Sequence, residues 1–129
     1  MKNIIFRYIT IIAAYITLSS FQISTLENAI VAALKDNNAK EISKHFNTSI
    51  SLQINQRSSI STRYQAELVL VDFIKNNKVI EVNKLSSMNS NQDRTYIILD
   101  VKTAKKNFKF YLKTIEIKDD ILISELKVN

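Results

Sequence analysis

Asp72 is the residue whose surroundings most suggest chemistry. It stands between Val71 and Phe73 near the C-terminal end of a predicted apolar helix, where a negative charge opposes the helix dipole. Gln65 lies seven residues earlier and shares the same strip of that helix. Because a buried carboxyl group holds its proton more readily than an exposed one, Asp72 in a pocket could transfer protons to a ligand. The alternative is that this strip faces solvent or that Asp72 caps a neighbouring loop.

Three tyrosines, Tyr64, Tyr96 and Tyr111, fall on predicted helices and strands and could line a pocket with hydroxyl groups. Aromatic residues at such positions are also typical of ordinary packing, with the hydroxyl group hydrogen-bonded elsewhere. Tyr64 and Tyr96 therefore join Asp72 and Gln65 as candidate pocket residues. No residue has a pattern that identifies it as catalytic.

A basic run surrounds the predicted penultimate hairpin. Because side chains alternate along a strand, Lys109 and Lys113 share the outer face with Tyr111, opposite an apolar inner face. This surface could attract a polyanion or an anionic membrane, although lysine lacks the forked geometry of arginine, which disfavours nucleic acid as a partner. Lysines on outer strands also prevent sheet edges from aggregating, so a purely solvated face is the alternative. The candidate anion-binding residues are Lys105, Lys106, Lys109 and Lys113.

Composition excludes many other kinds of chemistry. Glycine, proline and cysteine are absent from the 129 residues, and His45 is the single histidine. Phosphate-binding loops and nucleophile elbows need glycine, thiol enzymes need cysteine, and even catalytic zinc takes three protein ligands. We therefore predict neither a metal nor a cofactor. The formal net charge of +6 comes mainly from lysine, in a chain also rich in asparagine and isoleucine, as is typical of an AT-rich coding genome.

The N-terminal residues 1–22 have the pattern of a secretory signal peptide. Lys2 and Arg7 provide a basic start, an uncharged apolar run covers 8–18, and small residues follow at Ser19 and Ser20. This run is shorter than the roughly 20 apolar residues of a membrane-spanning helix. We therefore expect cleavage near Ser19 to Gln22 and export to the periplasm or the extracellular space, with an uncleaved membrane anchor as the alternative. Residues 23–129 then form a single domain.

Periodicity predicts helices first and strands later, an α+β arrangement. With glycine absent, clusters of asparagine, aspartate and serine must form the turns, because these residues tolerate left-handed backbone comparatively well. The third helix is apolar on most of its circumference, so we expect it to be covered on more than one side and to bury Phe73. The predicted elements are helices from Ser24 through Leu34, from Ala39 to Phe46 and from Arg63 to Lys75, and strands at Ser49–Ile54, Val79–Met88, Thr95–Thr103, Asn107–Ile117 and Ile121–Val128.

Several segments carry a resemblance to known proteins. They are Ala32 to Lys35, Asn38 to Ile42, His45 to Asn47, Gln65 to Glu67, Asp72 with Phe73, and Ser124 to Val128. In these segments the chain resembles a small exported Bacteroidota family of unknown function within the nuclear-transport-factor-2-like (cystatin-like cone) superfamily. The resemblance implies N-terminal helices packed on a strongly curved antiparallel sheet that forms a cone, either filled or open. Enzymes of that superfamily use Asp, His or Tyr inside the cone. The chain has Asn37 where the family commonly has glycine.

We therefore expect a non-enzymatic ligand-binding or protein-interaction module of the bacterial envelope. Its partner would be a small apolar ligand or an envelope protein, and a homodimer is compatible with the sequence. One alternative is a small acid–base enzyme that uses Asp72 with a tyrosine on an apolar ligand in the cone. Another is a lysine-driven binder of polyanions or membrane surfaces.

The export prediction is tested by sequencing the N-terminus of the protein recovered from the cell envelope. We expect the first residue to lie between Ser20 and Ile23, because the small residues before this point fit the cleavage positions. An intact Met1 in soluble cytoplasmic material would contradict export.

Overall fold

The structure, a computed structural model, describes residues 25–91 and 94–129. The predicted signal peptide and its cleavage site lie outside these residues, as does Ser24. Within them, no helix combines the length and apolar character needed to cross a membrane. The elements in chain order are α1 (25–35), α2 (Ala39–Ser43), β1 (Phe46–Ile54), β2 (Arg57–Thr62), α3 (Arg63–Asn76), β3 (Val79–Asn91), β4 (Arg94–Thr103), β5 (Asn107–Ile117) and β6 (Asp120–Val128).

The strands form one curved, unclosed sheet in the order β2-β1-β6-β5-β4-β3, which confirms the α+β cone. The expected antiparallel pairing holds at four of the five strand junctions, and at the fifth β1 and β6 are parallel. Parallel neighbours need a long connection. The chain supplies one here, since α3 and four strands lie between the end of β1 and the start of β6.

The turn between β1 and β2 consists of two residues, Asn55 and Gln56, with φ of 54° and 66°. Ile54 pairs directly with Arg57, and positive φ at both central residues is the form that matches the twist of a hairpin. The cluster of asparagine and serine from Asn55 to Ser59 predicts a turn over its whole length, so β2 is absent from the predicted elements. Asparagine makes the turn, as expected, but Arg57 and the residues after it already belong to a strand.

Asn37, where the resemblance leads us to expect glycine, makes two sets of hydrogen bonds at the end of α1. Asn37 takes φ of 55°, and the backbone N–H groups of Asn37 and Asn38 donate to the carbonyl oxygens of Leu34 and Ala33 at 3.0 and 2.8 Å. This is the arrangement in which a left-handed residue ends a helix. The Asn37 side chain also donates to the Val79 carbonyl at 3.2 Å and accepts from the Val79 N–H at 2.7 Å. A glycine here could not hold the start of β3 in this way.

The second helix is shorter than predicted. It begins after Asn38, whose side chain accepts from the Glu41 N–H at 3.2 Å, and ends at Ser43. Phe46 is fully buried, as expected, but it is the first residue of β1 rather than the end of the helix. The backbone N–H of Ile123 in β6 donates to the His45 carbonyl at 2.7 Å, so sheet pairing replaces helical bonding at this point.

The core lies between the concave face of the sheet and one face of each helix. On α3 the inward residues are Ala66, Leu70, Phe73 and Ile74. The Phe73 ring makes edge contacts with Phe108 and Phe110 of β5, with centroid separations of 5.0 and 5.9 Å. These aromatic rings pack directly against one another where the helix meets the sheet.

The expectation that α3 is covered on more than one side is wrong. Tyr64, Leu68 and Val71 lie on the side opposite Phe73 and are 67%, 52% and 42% exposed. The reason is architectural, because the sheet curves around only the inward face and the described helices leave the outward face open. Apolar residues on this face therefore do not contribute to the core.

We predict that Phe73→Asp destabilises the domain by about 3–5 kcal/mol, because it removes a buried aromatic side chain and buries an unpaired charge. The matched variant Leu68→Asp, on the exposed face of the same helix, should change the free energy of unfolding by less than about 1 kcal/mol. Urea denaturation followed by circular dichroism measures both values. Equal effects of the two variants would contradict this placement of α3.

Candidate ligand-binding groove

A groove with a volume of about 730 Å³ lies between α3 and the β1–β2 hairpin. Its base is apolar, with Leu52 and Ile54 from β1 and Phe73 from α3. Its two sides carry mainly polar groups, which come from the hairpin on one side and from the C-terminal half of α3 on the other. The residues of the two sides are Asn55, Arg57, Ser59, Val69, Asp72, Asn76 and Asn77.

Strand register decides which hairpin residues face the groove. Leu52 and Ile54 point inward and are buried. Their cross-strand partners are Ser59 and Arg57, which therefore share the same face of the sheet. On α3, Val69, Asp72 and Asn76 follow at intervals of three and four residues, so they lie along one side of the helix.

The two charged groups of the groove have no opposite charge bound to them. The Asp72 side chain accepts one long hydrogen bond, 3.4 Å, from the Asn76 amide. Within the described residues the ion pairs are Lys44 with Glu41 and Lys84 with Glu27, so neither reaches Arg57 or Asp72. Both groups are exposed and can bind a ligand that enters the groove.

The structure brings only Asp72 of the predicted pocket residues into this groove. Gln65 is exposed, and its amide completes the capping box of α3 by accepting from the Thr62 N–H at 3.2 Å. Tyr64 lies on the outward face of α3, and Tyr96 is half-buried on the outer face of the sheet, opposite Met88 and Lys113. The described residues therefore place none of these tyrosines beside Asp72.

The sequence reading missed Arg57, Asn55, Asn76 and Asn77 as groove residues. Asn55 and the Asn76-Asn77 pair were recognised only as turn formers. Arg57 has no sequence signal of its own, because the segment it begins is polar apart from Ile60. Without β2 in the predicted order, nothing placed this cation near α3.

The candidate lysines do not form one continuous basic surface. Lys109 and Lys113 point outward on β5, where their register partners are Asp100 and Glu125. Each cation is thus interleaved with a carboxylate, which reduces the net positive potential of the outer face. The Lys113 ammonium also lies 5.8 Å from the centroid of the Tyr96 ring.

The other two lysines, Lys105 and Lys106, are exposed in the β4–β5 turn. The Lys106 ammonium lies 4.7 Å from the centroid of the Phe108 ring, a cation–π contact. Lys106 also borders a second depression of about 530 Å³. Its remaining lining residues are Asn55, Gln56, Phe108, Val128 and Asn129.

A third depression, of about 330 Å³, contains the single histidine. His45 lies there beside Leu26 and Ala29 of α1 and beside Asp119 and Ile121 at the β5–β6 turn. Burial lowers the pKa of His45, the nearby Glu41 opposes this effect, and Lys44 reinforces it. Among the described residues no cluster of histidine and carboxylate groups could hold a metal ion.

The curved sheet with helices on its concave face is a nuclear-transport-factor-2-like fold. A nuclear-transport-factor-2-like protein of unknown function from Silicibacter pomeroyi superposes with a TM-score of 0.62 at 11% identity, covering 88% of this chain and 96% of that one. This likeness concerns the fold alone.

Residues 27–129 match the family model "Domain of unknown function (DUF4783)", and the chain belongs to this family. A family member from Bacteroides fragilis is similar at 27% identity with a TM-score of 0.72, covering 78% of this chain and 93% of that one. Another from Bacteroides uniformis has 20% identity and a TM-score of 0.75, covering 79% and 94%. No curated protein matches the chain.

The lowered pKa of His45 predicts a pH-dependent stability. Because the unfolded chain binds this proton more tightly than the folded one, stability is complete above the ordinary value of 6.5 and declines as the pH falls below it. Urea denaturation at about pH 7.5 and about pH 5.5 should show a larger loss for the wild type than for His45→Gln. Equal losses in the two proteins would contradict the prediction.

Proposed function

We propose that this domain is an exported, non-enzymatic ligand-binding module of the bacterial envelope, with the groove between α3 and the β1–β2 hairpin as its binding site. One observation carries the proposal. Arg57 and Asp72 stand on opposite sides of an apolar base, and neither is bound to an opposite charge. Polar groups that fix the orientation of a ligand above an apolar base are typical of sites for small organic ligands.

The lining specifies an amphipathic ligand rather than a purely apolar one. Leu52, Ile54 and Phe73 would contact its apolar part. Arg57 would bind a carboxylate or a similar anion, and Asp72 would bind an amine. The amides of Asn55, Asn76 and Asn77 add neutral donors and acceptors at the same end of the groove.

The surroundings of Asp72 support binding rather than acid–base catalysis. The acid–base alternative needs a tyrosine near Asp72, whereas Tyr64 lies on the outward face of α3 and Tyr96 on the outer face of the sheet. Asp72 is exposed, and it accepts a hydrogen bond from the neutral amide of Asn76. A carboxylate in this setting is suited to holding a cationic group of a ligand.

The proposal is tested by screening a library of amphipathic fragments, half carboxylates and half amines, against the isotope-labelled protein by NMR. We expect bound fragments to shift the backbone amide signals of Leu52, Ile54, Val69 and Phe73. Carboxylate fragments should bind roughly five- to tenfold more weakly to Arg57→Gln than to the wild type. Amine fragments should lose affinity by the same factor in Asp72→Asn, since each substitution removes one charge-assisted hydrogen bond.

The control variants are Glu67→Gln and Lys75→Gln, which change charges on the same helix outside the groove. In both variants the affinities for carboxylate and for amine fragments should stay within twofold of the wild-type values. Fragments that bind only at the depression around His45, or a library in which nothing binds, would contradict the proposal.

A further inference from the structure

The two edges of the sheet differ in how well they are protected. The edge strand β3 pairs with β4 through three register shifts, and such interruptions discourage another strand from pairing along that edge. The opposite edge strand, β2, pairs with β1 in unbroken register from Arg57 to Thr62. Its residues Ser58 to Thr62 include no charge and no proline, two of the features that commonly protect a sheet edge.

The hairpin geometry shows which backbone groups of β2 are free. In a two-residue hairpin the pair that closes the turn, here Ile54 with Arg57, exchanges both hydrogen bonds. Because bonding alternates along an antiparallel pair, Ser59 and Ser61 also face β1. The N–H and C=O groups of Ser58 and Ile60 therefore point away from the sheet, where the described residues provide no further strand.

Apolar side chains lie uncovered on both sides of this edge. Ile60 is on the outer face and is 81% exposed, the largest value among the exposed large apolar residues of the described part of the chain. On the inner side, Val69 lines the groove and is 44% exposed. A strand added to β2 would place alternate side chains over the groove and the others beside Ile60.

We propose that the natural occupant of the groove is an extended segment of another protein, which adds to β2 as a seventh strand. This inference rests on the proposed function, since it identifies the ligand of the same groove. Unpaired backbone groups on a regular strand are matched best by another extended backbone. The segment carries apolar side chains at alternate positions, with an acidic residue near Arg57 or a basic residue near Asp72.

A second copy of this chain fits the site less well. If β2 paired with β2 of another molecule, the side chains facing the groove would be those of Arg57, Ser59 and Ser61. All three are polar and would not cover Val69, the exposed apolar side chain of the groove. The occupant is therefore a different sequence.

The proposal is tested by selecting a random dodecapeptide library, displayed on phage, against the protein as recovered from cells. Enriched peptides should share a period-two apolar pattern. Their Kd, measured by fluorescence polarisation, should rise at least tenfold in Ser58→Pro and in Ile60→Pro, because each proline removes an outward N–H and leaves the bonds to β1 in place. The controls Ser58→Thr and Ile60→Val retain that N–H, and their Kd values should stay within threefold of the wild-type value.

A second measurement does not depend on the folding of the proline variants. N-methylation of the peptide backbone, one residue at a time, should weaken binding at every second position and leave the intervening positions unaffected. A uniform response along the peptide, a library without enriched sequences, or a protein dimer that Ser58→Pro abolishes would overturn the proposal. If fragment binding still depends on Arg57 and Asp72 in that case, the proposed function stands and only the peptide occupant is wrong.

Discussion

The contact between Phe73 and the two phenylalanines of β5 is the interaction on which the rest of the structure depends. Phe108 and Phe110 alternate with outward residues on β5, so both rings face the helix. Phe73 meets them at edge geometry, which adds to the apolar burial that holds α3 on the sheet. Because these rings pack together, the binding surface lies beside them, between α3 and the hairpin.

Two polar contacts fix the parts of the fold that this cluster does not reach. The buried carboxylate of Glu27 on α1 accepts from the Lys84 ammonium at 2.6 Å and from the Ser87 hydroxyl at 2.7 Å, both on β3. Asn37 at the end of the same helix pairs with the backbone of Val79. Since a buried carboxylate is tolerated only when its oxygens are bonded, this pairing selects one position of α1 along β3.

Local patterns in the sequence were sufficient to predict most of the elements. The strand at Asn107–Ile117 has the predicted bounds, and α3 extends one residue past the predicted Lys75. Alternation and capping signals depend only on residues close together in the chain, so a single sequence is enough to detect them. The strand β2 was missed because Ser58 to Thr62 is polar, with a single large apolar residue at Ile60.

The groove was harder to predict because it depends on pairing between distant segments. Asp72 is an unusual residue in an apolar helix, but the sequence alone does not show that Arg57 lines the other side of the same groove. The prediction that α3 is covered on more than one side was also wrong, since an apolar side of a helix can be exposed as well as buried. Hydrophobic pattern alone does not distinguish a core face from an exposed one.

The hairpin turn beside the groove has a further consequence for how that site recognises its partner. Gln56 holds a left-handed backbone without the freedom of glycine, whose accessible conformations are far more numerous. Asn55, its neighbour in the turn, lines both adjoining depressions. A side of the groove built in this way keeps its shape while empty. Less conformational entropy is then lost when a partner binds, so modest contacts can give useful affinity.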